Sequence, residues 1–250
     1  MNSAARRLCT MALVLVGVPV LLTAQSRGAG SAPGGTITGH ITLNGKPPGN
    51  PVIRMGPDPK CADMNRGRQV IQEQAMVTAD GSVANVFVRL EGTFPPSPVP
   101  PNPVVIDQRS CVYAPRVVGV RVGQRLQVRN DDNLLHNVHS SSASNNSFNV
   151  GQPSAGMTFD FIPKSPEVML KLGCDVHRWM TAFVGVMGHP YFAVTDAAGR
   201  YSIPHVPAGR YVMKTWHEQF GEQTQTVTVK PGENAAVDFA YAAPPRDQGR

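Results

Sequence analysis

Residues 168–180 read VMLKLGCDVHRWM, and this stretch decides how the rest of the chain is interpreted. Apolar side chains alternate along it up to Cys174, which is the pattern of a β-strand with one face against a core. Directly after this strand, Cys174, His177 and Met180 follow in a C-x2-H-x2-M motif. A thiolate, an imidazole and a thioether are soft or borderline ligands for transition metals. The sequence therefore predicts a metal-binding loop at the end of a strand.

A fourth ligand has to come from another part of the chain. His136 lies 38 residues before Cys174, just after the polar turn NDDN at 130–133. Two imidazoles, one thiolate and one weak axial thioether form the ligand set of blue-copper electron-transfer sites. His139 lies three residues after His136 and is an alternative ligand.

Residues 130–139 (NDDNLLHNVH), taken with the C-x2-H-x2-M motif, resemble the cupredoxins. The resemblance is to the amicyanin and plastocyanin group, most of all to the plastocyanin-like proteins of methylamine utilisation, and it extends over about residues 81–186. It implies a Greek-key β-sandwich that holds one type 1 copper ion, with Asn137 bracing the ligand loop. The ligands that it implies are His136, Cys174, His177 and Met180.

The chain departs from this family around the ligand loop. Gly173 precedes Cys174 where many relatives have an aromatic residue, and Arg178 and Trp179 add charge and bulk to the loop. Because of these departures, the redox potential and the docking surface of the family are not carried over to this chain. The His-Asn order at 136–137 follows the family and favours His136 over His139 as the ligand.

The first residues have the layout of a secretory signal peptide. Arg6 and Arg7 precede the apolar run 11–22, and the small residue Ala24 follows. We expect cleavage near that point, so that residues 1–24 are a signal peptide and the mature chain is periplasmic or secreted.

Export bears on the cysteines, because free thiols are unusual in an oxidising compartment. Three of the four cysteines remain after cleavage: Cys61, Cys111 and Cys174. If copper holds Cys174 as a thiolate, Cys61 and Cys111 are candidates for a disulfide. The sequence alone leaves this pairing open.

The composition favours short strands joined by turns. The 250 residues include 24 glycines and 23 prolines, with 6% aromatic and 16% charged residues. No 11-residue window has a clear helical period, so we predict an all-β chain. The formal net charge of +6 comes from scattered basic residues, which gives no nucleic-acid footprint. No apolar run reaches the roughly 18 residues of a membrane-spanning helix.

A second module is indicated near the C-terminus. Residues 195–218 (TDAAGRYSIPHVPAGRYVMKTWHE) resemble carboxypeptidase-regulatory-like, transthyretin-like modules, which are mostly non-catalytic β-sandwiches. Residues 34–48 (GGTITGHITLNGKPP) resemble the first strand and turn of such a module. This strand could also belong to the cupredoxin, so the copper unit either precedes the module or is inserted into it.

The predicted fold is a cupredoxin-like Greek-key β-sandwich plus a smaller transthyretin-like β-sandwich. Within the first unit, the alternating residues 118–122 and 126–128 predict a hairpin that turns at Gly123. Residues 46–80 predict no regular element. The predicted organisation is a signal peptide (1–24), an N-terminal β segment with an irregular region (25–80), a cupredoxin-like copper domain (81–186), a carboxypeptidase-regulatory-like β-sandwich (187–242) and a disordered tail (243–250).

We expect an exported carrier of single electrons that works with transient redox protein partners. It is not expected to be an enzyme, because no His beside Cys174 offers the ligands of a second copper centre. His177 is expected to reach the surface as the electron exit, with Trp179 helping to form an apolar contact patch. The alternatives are a copper-binding delivery or sensing protein, and a pair of metal-free β-sandwich binding modules.

Overall fold

The structure is a computed structural model that describes residues 34–244. The predicted signal peptide and most of the predicted tail lie outside the described residues. The described part contains one helix and 17 strands, so the predicted all-β fold class is confirmed. The elements are β1 (Gly35–Asn44), α1 (Pro59–Met64), β2 (Phe87–Glu91), β3 (Val104–Arg109), β4 (Val112–Ala114), β5 (Val117–Arg121), β6 (Leu126–Asn130), β7 (His136–Ser140), β8 (Phe148–Gln152), β9 (Thr158–Phe161), β10 (Glu167–Gly173), β11 (Thr181–Met187), β12 (Phe192–Val194), β13 (Arg200–Val206), β14 (Gly209–His217), β15 (Gly221–Val229), β16 (Ala235–Ala236) and β17 (Phe239–Ala242).

One pair of sheets joins the first strand to the last strands. Strand β1 pairs antiparallel with β13 and parallel with β16 and β17. The other sheet has the order β12-β2-β14-β15. Alternate side chains of β1, such as Ile37 and Ile41, are fully buried in the core that these strands share with Phe239. This burial explains the period of two in the opening sequence.

The second pair of sheets carries the predicted metal loop. Its sheets have the orders β5-β11-β10-β7-β8 and β4-β3-β6-β9, and they enclose a separate apolar core. All of these strands lie in sequence between β2 and β12, which pair with each other. The chain therefore leaves one β-structure and returns to it at neighbouring strands, as an inserted unit does. The domain boundaries given above remain predictions.

The predicted hairpin at 118–128 is wrong. Strand β5 pairs in parallel with β11, whereas β6 pairs with β3 and β9 in the opposite sheet. Gly123, with a φ of 82°, lies in the turn between them. Two strands that face one core from opposite sheets alternate just as two paired strands do, so the sequence pattern does not separate the two arrangements.

The segment 46–80 contains the helix that the sequence analysis did not place. Asp58 caps α1 by accepting the backbone N–H groups of Lys60 at 2.9 Å and Cys61 at 3.1 Å. Pro59 follows it at the start of the helix, where the missing N–H of proline costs nothing. No helix among the described residues is long and apolar enough to cross a membrane.

Phe87 packs where the two β-structures meet. Gly119 and Gly185 lie opposite each other on β5 and β11. A Cβ atom on Gly185 would come within 2.3 Å of the Phe87 ring, and one on Gly119 within 2.3 Å of the Phe192 ring. The centroids of the Phe87 and Phe192 rings lie 5.7 Å apart. The paired glycines thus leave the space that lets the rings pack against the sheet.

We expect Gly185→Ala to destabilise the protein by about 1–3 kcal/mol, because the new methyl group overpacks this contact. Gly151→Ala is the matched control, since Gly151 also lies in a strand of the same sheet and a Cβ atom added there would meet nothing within 4 Å. The free energy of unfolding from chemical denaturation measures both changes. Equal losses in the two variants would contradict the proposed close packing.

Candidate metal centre

The sheet order brings the separated ligand candidates together. Strand β7 begins at His136 and β10 ends at Gly173, immediately before Cys174. The two strands are antiparallel neighbours, with His139 paired to Gly173. The start of one antiparallel strand lies at the same end of the sheet as the end of its partner. His136 and the loop that begins at Cys174 therefore meet at one edge of the core.

Three donor atoms converge at this edge. The Nδ1 atoms of His136 and His177 are 3.0 Å apart, and the Sγ atom of Cys174 lies 3.8 Å from the Nδ1 atom of His177. All three donor atoms lie within 4.8 Å of one another. Ligand atoms that bind one ion at about 2.0 Å for nitrogen and about 2.3 Å for sulfur can be separated by up to about 4 Å. The separations of 3.0 Å and 3.8 Å lie within this limit, so these donors fit a single transition-metal ion.

The site is closed to solvent. The exposed fraction is 0% for His136, 3% for Cys174 and 1% for His177. The burial of His177 makes the prediction that it reaches the surface wrong. His177 is buried because Asp58 and Cys61 lie against its Nε2 atom.

Cys174 is surrounded by hydrogen-bond donors. Burial acts to raise the pKa of its thiol, but hydrogen bonds from His136, His177 and two backbone N–H groups outweigh burial and lower the pKa to about 6. The backbone donors are the N–H of Asn137, with nitrogen 3.4 Å from Sγ, and that of His177, at 3.3 Å. A thiolate is the form that binds metal. The fold thus prepares this cysteine as a ligand.

Asp132 orients the ring of His136. Its Oδ2 atom lies 2.9 Å from the Nε2 atom of His136 and also accepts the N–H of Cys111, while its Oδ1 atom accepts the N–H of Ser110. Burial would raise the pKa of Asp132, but these donors outweigh it and hold the pKa below its ordinary value. An ionised carboxylate only accepts hydrogen bonds, so Nε2 carries the proton. In the neutral ring that a metal binds, Nδ1 is then the electron-pair donor, and it lies on the side of Cys174.

Asp58 orients the ring of His177. Its Oδ2 atom lies 3.0 Å from the Nε2 atom of His177. This hydrogen bond, followed by that from the N–H of Cys61, lowers the pKa of Asp58. Nε2 of His177 is therefore the protonated nitrogen and Nδ1 faces the site. Both imidazoles therefore direct Nδ1 toward the shared position.

Asn137 and Tyr113 hold the ligand strands in place. The Oδ1 atom of Asn137 accepts the N–H of Asp175 at 2.6 Å, which ties β7 to the ligand loop. The Tyr113 hydroxyl donates to the carbonyl oxygens of Asn137 at 2.8 Å and Gly173 at 3.0 Å. Burial raises the pKa of Tyr113 well above its ordinary value, so the hydroxyl stays a donor. These contacts fix the spacing between the strands that carry His136 and Cys174.

Met180 and His139 lie in different surroundings. Met180 is 1% exposed and belongs to the same apolar cluster as Cys174. Its backbone N–H donates to the carbonyl of His177 at 2.8 Å, which closes the ligand loop into a turn. His139 has a side chain 39% exposed, and its Nδ1 atom forms a hydrogen bond with Oδ1 of Asp175 at 3.0 Å. Because it is three residues from His136, it faces the other side of the strand.

Cys61 and Cys111 form a disulfide beside the site, and Cys174 is the free thiol of the described residues. The Sγ atom of Cys61 lies 3.4 Å from the Nε2 atom of His177. Sequence analysis did not identify Asp58, Asp132 or Tyr113. The Asp-Pro dipeptide at 58–59 was a usable signal, since it is typical of a helix start.

In the metal-free protein, we expect the Cys174 thiol to ionise with a midpoint near pH 6. An unfolded cysteine ionises near pH 8.5, so this group adds stability that is fully present above about pH 8.5 and is lost as the pH falls through the native pKa. Ultraviolet absorption of the thiolate during a pH titration, with Cys174→Ser as the reference, measures the midpoint. A midpoint in the ordinary thiol range would contradict the prediction.

Comparison with known proteins identifies similarities in two parts of the chain. Residues 181–242 match the family model of the carboxypeptidase regulatory-like domain. No curated protein matches the chain. Three solved structures illustrate the second similarity. The Cu-containing nitrite reductase from Thermus scotoductus SA-01 is 16% identical, with 38% of this chain and 25% of that chain covered and a TM-score of 0.33. The purple cupredoxin from Nitrosopumilus maritimus is 22% identical, with 34% of this chain and 99% of that chain covered and a TM-score of 0.29. An oxidised amicyanin variant is 20% identical, with 34% of this chain and 81% of that chain covered and a TM-score of 0.30. The chain is thus similar in part to cupredoxins and in part to carboxypeptidase regulatory-like domains.

Proposed function

We propose that this chain is an exported type 1 copper protein that transfers single electrons between redox protein partners. The observation that carries the proposal is the convergence of the Nδ1 atoms of His136 and His177 with the Sγ atom of Cys174 in a buried site. Two imidazoles and a thiolate are the equatorial donors of blue-copper sites. Copper bound there would supply a one-electron Cu(II)/Cu(I) couple.

The chain's own residues suit such a couple because they are held before metal binds. His136 and Cys174 are at the ends of paired strands, and Asp132 and Asp58 fix the two rings by their Nε2 atoms. Donors that are already in place need little movement when the charge of the site changes by one. Met180 is proposed as the weak axial ligand, on the basis of the C-x2-H-x2-M motif and its burial in the same apolar cluster as Cys174.

Burial of the site favours an electron carrier over a copper-delivery protein. Delivery requires ligands that a partner can reach and replace, whereas the three donors here are at most 3% exposed. Electrons, unlike metal ions, can pass through a layer of protein. The two other ligand groups within residues 34–244 both include a sulfur of the Cys61–Cys111 disulfide, so they do not suggest a second metal for catalysis. We accordingly propose a non-enzymatic role.

Export is proposed from the N-terminal sequence and is compatible with the disulfide, since disulfides persist in oxidising compartments. We place the mature protein in the periplasm or outside the cell. Its redox partners are proposed to bind transiently, as electron-transfer partners commonly do through small interfaces.

Copper loading tests the proposed function. We expect one copper ion per chain and an intense visible absorption from charge transfer between the Cys174 thiolate and Cu(II). Cys174→Ser should lose this absorption, and voltammetry of the unaltered protein should give a reversible one-electron wave. Zinc alone or no metal after copper loading would contradict the proposal.

A pair of histidine variants tests the ligand assignment. His136→Ala is expected to lose the visible band and to lower Cu(II) affinity, because it removes a donor atom from the buried group. His139→Ala is the matched control in the same strand, and its half-exposed ring bonds Asp175 instead. It should keep the band. The reverse result would make His139 the ligand.

A further inference from the structure

Residues 58–61 approach the metal centre from a part of the chain that is distant in sequence. Asp58 Oδ2 is the acceptor for Nε2 of His177, although the two residues are 119 positions apart. Asp58 also caps α1 through the N–H of Cys61, and Cys61 is bonded to Cys111. The carboxylate is therefore fixed three residues away from a covalent cross-link.

The other half of the disulfide is held just as firmly. The N–H of Cys111 donates to Asp132 at 2.8 Å, and the carbonyl of Cys111 accepts the indole N–H of Trp179 at 2.8 Å. Asn65, at the end of α1, donates to the carbonyl of Ser110 at 3.0 Å. Helix α1 is thus anchored to the turn at 110–111, which itself is anchored to a ligand-bracing carboxylate.

We propose that Asp58 is a positioning residue for His177, and that the Cys61–Cys111 disulfide holds Asp58 beside the metal centre. This proposal rests on the proposed copper site. The carboxylate fixes the tautomer of His177 and makes its Nδ1 atom a more basic donor. A more basic donor stabilises Cu(II) more than Cu(I), because the charge of the ion is larger. Asp58 therefore lowers the reduction potential of the site.

Asp58→Asn is the informative substitution. Asparagine caps helices as well as aspartate does, so α1 keeps its cap while the charged acceptor is lost. Asp63→Asn is the matched control, because Asp63 belongs to the same helix, carries the same charge and forms only an exposed ion pair with Arg66. Both variants are made in the full mature chain.

The loss of a carboxylate behind a metal-bound histidine lowers metal affinity by roughly 10- to 100-fold. We expect Asp58→Asn to weaken Cu(II) binding within this range and to leave Cu(I) binding nearly unchanged. Each tenfold loss then raises the reduction potential by about 59 mV for a one-electron couple. Asp63→Asn should change neither quantity. A potential of Asp58→Asn equal to that of the unaltered protein would overturn the proposal.

The ring nitrogens of His177 give a readout that needs no copper. In the metal-free protein at a pH where this ring is neutral, ¹⁵N chemical shifts should report its Nε2–H form, and Asp58→Asn should weaken this preference. An unchanged tautomer population in Asp58→Asn would overturn the positioning role. Absence of copper binding by the unaltered protein would instead overturn the proposed function, while the ring shifts still decide whether Asp58 orients His177.

The disulfide is tested by combining substitutions. Cys61→Ser with Cys111→Ser should raise the potential in the same direction as Asp58→Asn. Adding Asp58→Asn to this pair should then give little further change, because the carboxylate is no longer held at His177. A full additional shift in the disulfide-free protein would show that Asp58 reaches His177 without the cross-link, and that part of the proposal would be wrong.

Discussion

The meeting of a buried thiol with two imidazoles is the interaction on which the rest of the site depends. A buried ionised group is destabilising unless opposite charges or hydrogen bonds compensate it. Here the hydrogen bonds around Cys174 outweigh burial and favour the thiolate. The two rings in turn depend on Asp132 and Asp58, which accept hydrogen bonds from their Nε2 atoms. Two short chains, each an imidazole followed by a carboxylate, thus extend outward from the sulfur.

The topology explains why this arrangement can be rigid. The ligand strands β7 and β10 are in the interior of a five-stranded sheet. Strands β3–β11 lie in sequence between β2 and β12, which are paired, and Phe87 of β2 packs against Gly119 and Gly185 of the ligand-bearing sheet. A change at the metal edge is therefore resisted by ladder hydrogen bonds and by close packing on the far side of the sheet. For the proposed electron carrier, little rearrangement on electron transfer is the expected consequence.

The sequence was informative where chemistry or periodicity is local. The alternating residues before Cys174 predicted β10, and the C-x2-H-x2-M spacing pointed to the loop in which His177 lies. The same reasoning failed at 118–128, since alternation records which face is buried but not which strand is the partner. It also missed Asp58, whose role depends on a contact across 119 positions that no local pattern records. Asp132 is only four residues from His136, but an acidic residue in a polar turn has no feature that distinguishes a ring acceptor from a solvated side chain.

Because this edge of the site is closed to solvent, the Nε2–H group of His177 needs an acceptor from the protein. An imidazole that binds through Nδ1 keeps a proton on Nε2, and at an exposed site water accepts that hydrogen bond. His177 is 1% exposed, so its N–H has to be satisfied by protein. The strands that carry the ligands do not supply this acceptor. It comes from Asp58, which lies at the start of the short helix α1 and has to be fixed relative to the ligand strands. A covalent link between Cys61 and Cys111 supplies that fixation directly beside the ring, which explains why the cross-link and the carboxylate occur together at this edge.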